Sequence, residues 1–127
     1  MAVSAVNTTI AAENTITTVT VNAATSSVID ATEVFTLTPT KADAKVAIVI
    51  ENGPTHGTIT YSIAAGGFWA AGSALTGSVA QATTRVIVLE GGKYKAAAGT
   101  IAITFTPASG KRLLTDHAMS VSVIQLP

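Results

Sequence analysis

The stretch "TIAITFT", Thr100 to Thr106, decides the fold. Ile101, Ile103 and Phe105 alternate with threonine and alanine. A strand sends successive side chains to opposite faces, so this spacing makes one buried face and one open face. A helix would need apolar residues three and four apart. The same period of two recurs in "TITTVTV" (Thr15–Val21), "VFTLT" (Val34–Thr38), "TITYSI" (Thr58–Ile63), "TRVIVLE" (Thr84–Glu90) and "SVSVIQL" (Ser120–Leu126). "KVAIVIE" (Lys45–Glu51) is apolar in both phases, the pattern of a central strand covered on each side. "ALTGSVA" (Ala74–Ala80) is a weaker strand interrupted by glycine. Threonine and valine stand where a helix would carry Leu, Glu and Lys.

Turn signals separate these runs. "ENGPTHG" combines Asn-Gly with Gly-Pro, and "EGGK" and "PASGK" close later strands. The links are too short for helical crossovers, so antiparallel neighbours are expected. The chain therefore reads as all-β: an antiparallel β-sandwich, jelly-roll or Ig-like, of about eight strands. The phases put Val19, Phe35, Leu37, Tyr61, Ile101, Ile103 and Phe105 inside, and in "TRVIVLE" they put Val86 and Val88 inside. "FTLTPTKADAK" (Phe35–Lys45) and "ITFTPASGK" (Ile103–Lys111) echo each other, as equivalent strands of two sheets would. Residues 15–127 form the domain. Met1 to Asn14, small and polar, reads as an edge strand or an extended N-terminal arm. It is assigned as an arm, ordered by contact with another subunit because it has little apolar area of its own.

The chain has 127 residues, enough for one domain with a self-sufficient core. Hydrophobic residues make up 48% and charged residues 11%. So low a charge content leaves much surface for neighbouring subunits. Seven basic and seven acidic residues cancel, which gives no basis for steering to nucleic acid or an anionic membrane. There is no cysteine, which removes disulfides, thiolate metal sites and thiol nucleophiles. "MAVSAVNTTI" lacks a basic region followed by an apolar stretch, so a product made in the cytoplasm is expected.

No catalytic, cofactor-binding or metal-binding pattern stands out. His56 in "GPTHG" and His117 in "LLTDHAM" read as surface-turn histidines, and no "GxSxG" or "HExxH" occurs. Asp30 and Glu33 are the densest acidic pair and read as the solvated start of a strand, not a calcium site. Lys93, Tyr94 and Lys95 read as a hairpin with snorkelling lysines. The unusual feature is "AAGGFWAAG" (Ala64–Gly72), which holds the only tryptophan beside Phe68. Either this pair plugs one end of the sandwich or Trp69 anchors an interface. Phe68 and Trp69, with the apolar residues Val3, Val6 and Ile10 of the arm, are the candidate partner contacts.

"EVFTLTPTKADAKVAIVIENG" (33–53), "IAAGGFWAAG" (63–72) and "GTIAITFTPASGK" (99–111), in a chain of this composition, resemble the small capsid decoration (cement) proteins of tailed bacteriophages. The resemblance spans roughly residues 30–126 and is one of style and layout. It implies a non-enzymatic virion protein that binds the outer surface of the major capsid protein lattice and stabilises the shell. Such proteins are often trimers and some are monomers, so the resemblance leaves the oligomeric state open; a homo-oligomer, with a trimer possible, is expected, and an N-terminal arm in lattice contact is implied. A tail-tube or filament subunit shares the composition. So does a carbohydrate-binding β module of a fibre, in which Trp69 and Tyr61 would stack on sugar rings.

Overall fold

The computed structural model describes residues 2–40, 45–67, 73–114 and 118–126. It is an all-β sandwich. In chain order the strands are β1 (Ala2–Val6), β2 (Thr8–Ile10), β3 (Val21–Ala23), β4 (Glu33–Leu37), β5 (Lys45–Glu51), β6 (Ile59–Ile63), β7 (Leu75–Val79), β8 (Thr84–Glu90), β9 (Ile101–Thr106) and β10 (Ser120–Gln125). A single helical turn, α1 (Gly91–Tyr94), lies between β8 and β9. The Lys93–Lys95 segment is thus not a hairpin, because β8 and β9 belong to different sheets.

Sheet one has the order β1-β4-β9-β6-β7, and sheet two the order β2-β10-β5-β8. β3 continues beside β2 along the same edge of β10, β2 pairing with 123–125 and β3 with 120–122. Both sheets are mixed and not purely antiparallel. β1 runs parallel to β4 and β2 parallel to β10. A parallel partner requires a long return path, and residues 7–32 supply one between β1 and β4.

This pairing corrects the assignment of residues 1–14 as an arm. The chain leaves sheet one after Val6 and joins sheet two at Thr8, so Ala2–Ile10 closes one side of both layers. The backbone amide of Asn7 donates to Asn22 Oδ1 at 3.1 Å, and Asn22 Nδ2 donates to the Val121 carbonyl at 3.0 Å. Backbone pairing supplies what the small side chains cannot. "TITTVTV" is a strand only from Val21 onward. β2 and β3 together use the free edge of β10, so Thr15–Thr20 alternates without a ladder to join, and Ile16 is fully exposed.

The core lies between the inner faces. Phe35, Leu37, Val46, Ile48, Ile50, Ile59, Ile101, Ile103, Phe105, Val121 and Val123 are buried, as their period requires. Each such side chain contributes about 1.5–3 kcal/mol from area alone. Phe35 and Phe105 meet edge to face, with centroids 5.3 Å apart and planes at 81°. Tyr61 lies half-buried on the core side, across β7. A Cβ added at Gly77 would come within 2.6 Å of Tyr61 Cζ, so the glycine that weakens "ALTGSVA" makes room for the ring. The two echoing segments are neighbours in one sheet, with Phe35 opposite Ile103.

The phase of β8 is the reverse of the expected one. Leu89 lies opposite Val46 and Ile87 opposite Ile48, so these two face the core. Val86 and Val88 face outward.

Candidate interaction surface

Register places two rows of side chains on the outer face of sheet two. One row runs Val88, Ala47, Ile124, Thr9, and the next runs Val86, Val49, Ser122, Val21. Neighbours in a row are directly opposed across strands, about 4.5–5.5 Å apart at Cβ. Val86, Val88 and Val21 are 62%, 61% and 63% exposed. Ala47, Val49 and Ile124 between them are half-buried, shaded by their neighbours. β5 is thus central in its sheet, yet its outer side is open and not covered. Lys45 opposite Glu90 bounds the rows at one end, and Glu51 opposite Thr84 at the other. All four are exposed. A contiguous apolar area with a polar rim is the form that interaction surfaces take.

β8 borders this face. It pairs with β5 on one edge, and among the described residues no strand pairs with its other edge. Seven residues long, it contains neither glycine nor proline. Edge strands normally carry some device that blocks pairing; here the span Val86–Leu89 is uncharged.

The candidate contacts separate on the structure. Val3 is a β1 position whose backbone lies opposite Val34. Val6 is only 7% exposed and belongs to the core, so it is withdrawn as a partner contact. Its burial follows from the crossing between sheets. Ile10 is 53% exposed at the end of β2. Phe68 and Trp69 lie outside the described residues. The segment leading to them is fixed: Gly66 and Gly67 amides donate to the carbonyls of Lys93 and Lys95 at 3.1 and 3.0 Å. Tyr61 lies half-buried, packed over Gly77 and against the core.

Polar groups expected at the surface are buried. Glu33 is fully enclosed and not a solvated residue. Its Oε1 accepts from the amides of Thr25 and Ser26 at 2.9 and 2.8 Å and from Thr25 Oγ1, and its Oε2 accepts from Ser4 Oγ. One carboxylate thereby ties β1 and the residue 25–26 segment to β4, satisfying the charge it buries. Asp30, by contrast, is exposed and accepts from the Gly110 amide at 2.7 Å. His56 is buried, with Nδ1–H donating to the Arg112 carbonyl at 2.8 Å, so it is not a surface-turn residue. His117 lies outside the described residues. Among those described, no group of three or more His, Asp or Glu residues is placed to hold a metal. No helix among them is long and apolar enough to cross a membrane.

Compared with protein-family models, curated proteins and solved structures, the chain matches none. The outer valines were readable in principle. "TRVIVLE" is apolar in both phases, like "KVAIVIE", and a strand of that kind leaves apolar side chains outside whichever phase is buried.

Proposed function

We propose that this chain is a non-enzymatic virion structural protein, a capsid decoration protein of the tailed-bacteriophage kind. It docks on the outer surface of a major capsid protein lattice and stabilises the shell. The observation that carries this reading is the exposed apolar outer face of sheet two. At strand and residue spacings the two rows cover roughly 15 Å by 10 Å, well short of the ~800 Å² per partner of a stable soluble complex. A single contact of that size is weak. It gains effect where many copies meet a repeating surface. The buried roles of Glu33 and His56 favour scaffolding over chemistry for both.

A tail-tube or filament subunit is the second reading; it would need the edge of β8 to pair with a different edge strand of the next copy, because only heterologous contacts build rings. The test is co-sedimentation with capsid shells of the particle encoded alongside this protein. Val21→Lys, at the side of the face far from β8, should reduce occupancy at least tenfold while the circular dichroism spectrum stays unchanged. Full occupancy by this variant would overturn the docking face. Binding to tail tubes instead of shells would favour the second reading.

A further inference from the structure

We propose that β8 pairs antiparallel with β8 of a second copy, forming a two-fold dimer in which the two second sheets become one. This goes beyond docking on a lattice and does not depend on it.

Among the described residues, no strand pairs with the outer edge of β8. Of the strands at sheet edges, β8 is the longest, with seven residues against five in β1 and five in β7. β7 is further interrupted by Gly77, and the Tyr61 ring occupies the space that a Cβ there would need. A row of free N–H and C=O groups is a template for another strand. Two identical edges satisfy each other only by an isologous, two-fold contact.

Charge selects the direction. β8 carries Arg85 at its start and Glu90 at its end, both exposed. Arg85 lies opposite buried Ile50 and Glu90 opposite Lys45, so the two charges project from opposite faces of the sheet, and antiparallel pairing keeps them apart from any like charge. A parallel arrangement would set like charge beside like charge. Full overlap of the two strands places Ile87 on the axis. Val86 then opposes the second copy's Val88, and Thr84 its Glu90. No like charges are opposed, and the central pairs are β-branched, which suits a pleated surface.

Orientation makes the arrangement useful. Directly opposed residues of one sheet share a face. The outer valine rows of both copies therefore look the same way, and the dimer presents one apolar surface of twice the width. A pair of weak patches on one rigid body binds a repeating partner with an effective concentration that a single patch lacks.

The test uses the purified chain and analytical ultracentrifugation over a concentration series. The wild type should sediment as a dimer. Val86→Lys with Val88→Lys opposes lysines in both central pairs and should weaken the dimer roughly tenfold or more. Both positions are exposed, so the fold should survive, with circular dichroism as the check. Val86→Lys with Val88→Glu opposes lysine to glutamate across the axis and should restore the dimer. A wild type that stays monomeric at its highest soluble concentration would overturn the proposal. So would a double-lysine variant that dimerises unchanged, or a charge-swapped variant no better than the double lysine. Loss of shell binding by Val21→Lys with an intact dimer would separate the two proposals.

Discussion

The two outer faces of this sandwich differ, though their inner faces are alike. On sheet one, the outward row across β7, β6, β9 and β4 reads Thr76, Ser62, Thr104, Val34, and the neighbouring row reads Ser78, Thr60, Thr106. On sheet two the corresponding rows are led by Val88, Ala47 and Ile124, and by Val86 and Val49. Threonine keeps β-branched shape while remaining wet; valine has the shape without the hydration. Threonine and valine both suit strands, so a strand does not require the outer valines of sheet two. This is the difference on which the proposed docking of sheet two rests.

The comparison holds only if the outer valines contribute little to the fold, and graded substitutions test that. Phe105→Ala should have the largest effect, about 3–5 kcal/mol of stability, because it empties the edge-to-face contact with Phe35. Glu33→Ala should follow, at about 2–4 kcal/mol, since the Thr25 and Ser26 amides lose their acceptor inside the protein. Chemical denaturation measures both. Gly77→Ala should cost about 1–3 kcal/mol by displacing Tyr61 from the core side of sheet one. Val88→Thr should have the smallest effect, within about 0.5 kcal/mol. If Val88→Thr destabilises as much as Gly77→Ala, the outer face of sheet two is working as core and the contrast fails.

Much of this architecture is legible in the residues. Alternation locates β4, β5, β6, β8, β9 and β10 to within a residue or so, because each has a partner edge and a buried phase. "TITTVTV" alternates as well as any of them, yet pairs only at its end, since pattern does not reveal that β10 has one edge left to share. The phase of β8 is hidden for a different reason. Ile87 and Leu89 are no more apolar than Val86 and Val88, and only register with Val46 and Ile48 selects between them. Ala2–Val6 has its two valines three residues apart, so no alternation announces a strand; its place depends on backbone pairing. Glu33 and His56 look like surface residues because their hydrogen-bond partners are distant in sequence. The exposure of Val86 and Val88 is hidden for the same cause as the β8 phase.

The most direct measurement is a three-dimensional reconstruction of the particle with this protein bound, at a resolution that separates the two sheets. The account predicts that sheet two faces the shell, with Val21, Val49, Val86 and Val88 at the contact and the threonine face of sheet one toward solvent. A reconstruction with Thr60, Ser62, Thr76 and Thr104 against the shell, or with the valine face left in solvent, would contradict it.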